Sequence, residues 1–191
     1  MDANNAGHEP MKASVRKPAN AVPLTPRRPP ATSQPSIPAA RQKALWKNFS
    51  QTVAVLMRDP RLKNMKISDM ESLVLPPVLL GQCKIAQAKV GPQGNQPDSI
   101  SVAPVAVALW ARVSPAIDKK LMENLDKQVD FKPADWASGD IIWLTLVGGE
   151  KRFINELLKV MVEKDFKGQK VKIRAQGADG KTTVKLLGNP A

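Results

Sequence analysis

FKPADWASGDIIWLTLVGGEKRFINELLKVMVEKDF, residues 131–166, decides the fold. FKPADWASGD is rich in Gly, Pro, Asp and Ser and reads as a loop. IIWLTLVGG, residues 141–149, is a short apolar run closed by turn residues, which predicts a mostly buried strand. Phe153, Leu157, Leu158, Met161 and Val162 then recur at helical spacing, so residues 150–166 predict an amphipathic helix. A buried strand, a glycine turn and a helix in succession are a building unit of mixed α/β domains.

The same reading extends in both directions. Downstream, KVKIRAQ and KTTVKLL flank GADG, whose Gly and Asp tolerate positive φ, and together they predict a hairpin. Upstream, CKIAQAKV (83–90) and SVAPVAVALWARV (101–113) predict an antiparallel pair joined by the loop GPQGNQPDS. SPAIDKKLMENLDK predicts a helix with Ser114 as its cap and Pro115 in its first turn. RQKALWKNFSQTVAVLMRD (41–59) carries Leu45, Trp46, Phe49, Val53 and Leu56 on one stripe, a further helix that Pro60 ends. Ser68 and Asp69 open another helix through MESLVLPPVLLGQ, in which Pro76 and Pro77 are expected to cause a kink or break before Gly81 closes it. Residues 41–191 are thus expected to form one α/β domain with helices and about five strands around a single sheet.

Composition narrows the function classes. The chain has 191 residues and is 42% apolar, enough for one domain with a real core. No apolar run approaches the roughly 20 residues that span a bilayer. MDANNAGHEPMKASVRKPAN has basic residues but no apolar stretch behind them, so no secretory signal is read and a cytoplasmic location is expected. The single cysteine, Cys83, excludes an internal disulfide and a cysteine-rich zinc site; it reads as a small core residue, and no metal site is expected. The formal charge of +12 suits nucleic acid, anionic lipid or an acidic protein without choosing among them. With no Tyr and 4% aromatics, stacking platforms are scarce and nucleic acid is the weakest of these readings.

Residues 1–40 contain no aromatic side chain and include PLTPRRPPATSQPSIP, so they are expected to be a disordered tail with local polyproline II character. Arg27 and Arg28, or Pro23 to Pro26, give that tail a docking reading as an alternative. The only histidine, His8, falls within it.

DWASGDIIWL, residues 135–144, resembles the Asp-Trp, Ser-Gly-Asp and following Trp pattern of the toxin-activating lysine acyltransferases that fatty-acylate RTX protoxins. DPRLKN with LVLPPVLLGQ (59–82), PVAVALWARVS (104–114) and the closing KVKIRAQGADGKTTVKLLG match in the same order, so the resemblance spans about Trp46 to Gly188. It implies an N-acetyltransferase-like fold with a mixed, mainly antiparallel sheet. It also implies transfer of a fatty acyl group from acylated acyl carrier protein to internal lysines of an RTX-type protein, with no bound cofactor. A homodimer is compatible with it, and a catalytically inactive protein- or carrier-binding descendant is the alternative.

Carried over by position, the family's aspartate falls on Asp140, and its histidine falls in PRLKN, where this chain has Leu62, or Lys63 or Asn64 under a shifted alignment. An Asn and a Tyr of the family fall on Leu73 and Val107. A lysine near pKa 10.4 must lose a proton before it attacks a thioester. Histidine near 6.5 suits that task, whereas an aspartate near 3.9 faces a gap of about 6.5 units, roughly 9 kcal/mol. Asp140 is the candidate catalytic residue, with a turn-capping role as its plainer reading. Gly148 and Gly149, at a strand-to-helix turn with Lys151 and Arg152 beyond, are candidates for binding the phosphate of the donor's phosphopantetheine arm; close packing is the alternative reason for the glycines.

Overall fold

The computed structural model describes residues 38–90, 101–127, 131–177 and 179–188. The expected tail with His8, Arg27 and Arg28 lies outside the described residues apart from positions 38–40, and so does the loop 91–99.

The Leu45–Leu56 stripe forms helix α1, Ala39–Arg58, and Asp59 ends it by turning extended ahead of Pro60. Thr52, Val55 and Leu56 are its buried positions. The next segment is interrupted ahead of its prolines, as expected. Helix α2 (Ile67–Asp69), a wide π-turn over Met70–Val74 and helix α3 (Leu75–Leu79) run on through Pro76 and Pro77. The Leu75 amide bonds back five residues to the Met70 carbonyl. That widening relieves the clash between the proline rings and the preceding carbonyls, so the prolines change the pitch of the segment without ending it. The segment opens one residue earlier than Ser68, where the Asp69 carboxylate accepts the Lys66 amide at 2.9 Å. Gly81, at φ +71, closes it: its amide reaches the Val78 carbonyl, and the Gln82 amide reaches that of Pro77. These two bonds are the Schellman pattern.

Strands β1 (Cys83–Val90), β2 (Ser101–Val113), β3 (Ile141–Gly149), β4 (Val171–Gln176) and β5 (Thr182–Leu187) form one sheet in chain order. Helix α4 (Pro115–Glu123), capped by the Ser114 hydroxyl, and a 3₁₀ turn over Pro133–Trp136 connect β2 to β3. Helix α5 (Lys151–Val160), continued by a π-turn over Met161–Asp165, connects β3 to β4. All neighbouring strands are antiparallel except β3 and β4, which need the α5 crossover because parallel strands cannot share a tight turn.

Side chains alternate between two packed faces. Ala106 and Ala108 of β2 and Ile142 and Leu144 of β3 lie with Leu157, Met161 and Phe166 on the α5 face. On the opposite face, Val107 and Leu109 meet Val55, Leu56, Val74 and Val78 of α1 to α3. Beside them Ala111, Val113, Trp136 and Trp143 meet Ile117 and Leu121 of α4. Two helical groups thus share one face of the sheet, side by side.

Candidate functional site

β3 carries the site. Leu109 pairs with Leu146 and Trp110 with Leu144, which leaves Thr145 as an extra residue, a β-bulge. Its hydroxyl donates to the Leu109 carbonyl at 3.2 Å. On the other edge of β3, pairing to β4 covers only Ile142–Leu144 against Val171–Ile173. Beyond that, β3 stays with β2 and β4 with β5, so the only parallel pair among the described strands parts into a V.

A cleft of about 270 Å³ fills this opening on the face shared by the two helical groups. Trp143 to Val147 and Ile173 line its floor, Leu73 and Arg61 one flank, and Leu121, Phe131 and Arg174 the other. The Arg174 guanidinium donates to the Lys127 and Leu121 carbonyls at 2.8 and 3.3 Å, beyond and within α4. Burial pulls its pKa below the ordinary guanidinium value, against the opposing charge of Asp126. Arg61 is held by Asp59, whose Oδ1 accepts its amide and Nε at 2.9 and 3.0 Å and whose Oδ2 accepts its Nη2 at 2.6 Å. Among the described residues no carboxylate or histidine lines this cleft. Leu144, Val147 and Ile173 pack on the α5 face and give the floor their strand backbone, while Leu73, Leu121, Phe131 and Leu146 supply apolar side chains; with a guanidinium on each flank, this mixed lining suits an amphipathic anion.

Trp143 is fixed from beneath. Its Nε1 donates to Asp118 Oδ1 at 2.7 Å, and the Lys172 ammonium reaches both oxygens of that carboxylate at 2.7 and 2.9 Å. Asp118, Lys172, Thr145, Arg61 and Arg174 carried no signal in the linear reading, apart from one weak sign: a single Thr inside the apolar run IIWLTL marks the bulge.

The loop motif ahead of β3 has a structural task at nearly every position. Asp135 accepts the Lys132 amide at 2.9 Å. Trp136 is fully buried and lies 4.7 Å from the ring of Phe131. The Ser138 hydroxyl accepts the Ser114 amide at 2.9 Å and donates to the Asp135 carbonyl. A Cβ at Gly139 would stand 2.6 Å from the Val113 carbonyl oxygen. Asp140 differs: it is exposed and, among the described residues, makes no side-chain hydrogen bond. It lies three residues, roughly 10 Å along an extended strand, ahead of Trp143, where the cleft begins.

Gly148 and Gly149 sit at the far end of β3. A Cβ on Gly148 would meet Leu56 and Leu62 side chains at 3.0 Å, and one on Gly149 would come within 2.3 Å of the Val105 carbonyl oxygen. The Gly149 amide donates to Asp59 Oδ2 at 2.9 Å. An acidic side chain thus occupies that amide. Lys151 and Arg152 are exposed at the start of α5; Arg152 pairs with Glu150 at 3.2 Å and lies over the Phe153 ring.

Leu62 and Val107, where the family's histidine and tyrosine fall, both pack around Gly148 in the core under α1. Leu73 lines the cleft instead. Cys83 is half-buried against the same core as Leu62, and burial pushes its thiol pKa up, against a hydrogen bond with Asn48. That keeps it a thiol and a poor nucleophile. Among the described residues no group of three or more His, Cys, Asp or Glu is placed to hold a metal, and no helix is long and apolar enough to cross a membrane.

An open, mainly antiparallel sheet that parts at its parallel pair, bulges at the parting point and floors a cleft there makes this an N-acetyltransferase-like α/β domain. Within that class the chain belongs to the RTX toxin acyltransferase family, whose model matches residues 42–187. No curated protein matches the chain. Family membership implies a toxin-activating acyltransferase.

Proposed function

We propose that this protein takes a fatty acyl group from acylated acyl carrier protein and transfers it to lysine side chains of an RTX-type protein. The observation that carries the reading is the cleft between β3 and β4, partly apolar in its lining and flanked by Arg61 and Arg174. An acyl chain fits the apolar part, and beyond Leu144 and Ile173 the two strand edges offer backbone groups to the amides of a pantetheine arm, as an added strand would use them. Arg61 and Arg174 complement the phosphate, with Lys151 and Arg152 at the start of α5 as further cations and Gly148 and Gly149 as the turn that places them. The net positive charge favours encounter with an acidic carrier protein. Asp140, exposed at the foot of β3, is the carboxylate we assign to the incoming lysine ammonium.

A second reading, a carrier- or acyl-binding protein without catalysis, is favoured by one observation. Among the described residues the polar side chains lining the cleft are Arg61, Thr145 and Arg174, and none of them takes a proton from an ammonium near neutral pH. One assay separates the two. The protein is incubated with acylated carrier protein and a lysine-containing RTX fragment, and the fragment is followed by mass. Acyl mass gain on lysine supports transfer; carrier binding without any gain sinks it and leaves the binding protein.

A further inference from the structure

Every charged side chain of α1 is basic. The helix carries Arg41, Lys43, Lys47 and Arg58 and neither Asp nor Glu. Asp59, the next residue, is 2% exposed and held by Arg61, so it offsets little of this charge at the surface. Among the described residues Lys43 and Lys47 enter no ion pair. Helical spacing gathers these cations with apolar groups on one outward face. Thr52, Val55 and Leu56 turn inward to the core. Lys43, Trp46, Lys47, Ser50 and Met57 follow one another at helical intervals on the opposite side, and all are exposed. Trp46 and Met57 are large apolar side chains left 60% and 68% exposed. Beside Trp46 a groove opens between α1 and α3, walled by Phe49, Leu75, Val78 and Leu79. Leu79 and the adjoining Leu80 are exposed as well, and that segment adds no charge.

We infer that the outward face of α1, with Leu79 and Leu80 beside it, docks the protein on the surface of an anionic lipid bilayer. The contact is peripheral. Trp settles at the headgroup level of a bilayer, and lysine stems lie along apolar surface while their ammonium groups reach lipid phosphates. An acidic protein would also match the charge. The lipid surface is favoured because cations and apolar groups are intermixed along roughly three turns of a convex helix face, whereas a protein partner's anchors gather in a central pocket with a polar rim. Docking is independent of acyl transfer, since this face shares no residue with the lining of the cleft between β3 and β4.

The test is sedimentation of the full chain with vesicles of phosphatidylcholine containing about 30% phosphatidylglycerol, against phosphatidylcholine alone. Binding should need the anionic lipid and fall as salt is added. Each surface cation contributes roughly fivefold, so Lys43→Gln combined with Lys47→Gln should weaken binding about 25-fold. Lys164→Gln with Lys167→Gln removes the same charge beyond α5, on the other face of the sheet, and should change binding by about twofold at most. Vesicles with brominated acyl chains should quench the Trp46 emission. Trp46→Phe should still bind but lose most of that quenching, because Trp136 and Trp143 are buried and Trp110 packs on Phe166. Equal losses in the two lysine double variants overturn the inference, since net charge alone then drives binding. Absence of binding to the anionic vesicles overturns it too, as does a dimer that Trp46→Ser dissociates, which would give the face to a second copy of the chain.

Discussion

Asp59 Oδ2 accepts the backbone N–H of Gly149 at 2.9 Å and so ties the residue after α1 to the last residue of β3. The same carboxylate grips Arg61 on the flank of the cleft. Asp59 is 2% exposed. The Arg61 side-chain bonds hold its pKa down to about 2 from an ordinary 3.8; burial opposes them, and the Gly149 and Arg61 amides add to the lowering. The folded value lies below the unfolded one, so the stabilisation is full above about pH 4 and is lost as pH falls through 2, a total of about 2 kcal/mol. Urea unfolding should show Asp59→Asn less stable than wild type by about that amount at pH 7, with the gap closing between pH 4 and pH 2. A gap that stays constant down to pH 2 would mean that the charge on Asp59 contributes nothing.

The two glycines at the end of β3 should respond unequally to a methyl group. Gly149 has φ +116 and its Cβ would strike a backbone oxygen, which cannot move aside. Gly149→Ala should therefore cost at least about 3 kcal/mol, from backbone strain and clash together. At Gly148 the obstacles are the flexible side-chain ends of Leu56 and Leu62, and Gly148→Ala should cost about 1–2 kcal/mol. Thermal unfolding of the two variants checks the order. If both unfold with the wild type, close packing is not the reason for these glycines, and the phosphate-binding role gains weight.

Lys172→Met leaves Asp118 with its Trp143 bond but without its ammonium partner. Both side chains are only about one-fifth exposed, at 22% and 18%. The variant should lose about 1–3 kcal/mol, more than an exposed pair contributes. Because Trp143 is part of the cleft floor, its near-ultraviolet signal should change as well. Adding salt should recover little, since a partly buried pair is weakly screened.

Much of this architecture was written in local pattern. Residues 141–160 become the expected buried strand and helix because apolar spacing and the Gly148–Gly149 turn agree with each other. The β1–β2 and β4–β5 pairs follow from their turn residues, and Gly81 closes its helix as expected. Pro76 and Pro77 announced the interruption but not its form, a π-turn over Met70–Val74 that absorbs their clash. The cleft was not legible for a different reason. Its lining comes from the turn after α1, the π-turn, α4, the loop at Phe131, β3 and β4, and it exists only because β3 and β4 part after three paired residues. Register and splay are settled by packing on both faces, so single-segment patterns do not encode them. Asp59 illustrates the same limit: its sequence neighbours mark it as a helix terminator, and its partner Gly149 is ninety residues away.

Asp140 is where sequence and structure put the sharpest question. Its neighbours Asp135, Trp136, Ser138 and Gly139 hold the loop, whereas its own carboxylate stands exposed without a hydrogen-bond partner among the described residues. A purely structural aspartate would be bonded, and an unbonded one can change without harm to the fold. Asp140→Ala should therefore keep the unfolding free energy within about 0.5 kcal/mol of wild type. If the carboxylate receives the acceptor ammonium, transfer should fall by about 10² or more in the same variant, and Asp140→Asn should fall with it because the charge is what matters. Donor binding should survive in both, since the cleft lining excludes residue 140. Equal transfer rates in wild type and variants would release Asp140 from the mechanism. The proton acceptor would then have to come from the substrate protein or from a residue outside the cleft lining, because Arg61, Thr145 and Arg174 cannot supply it.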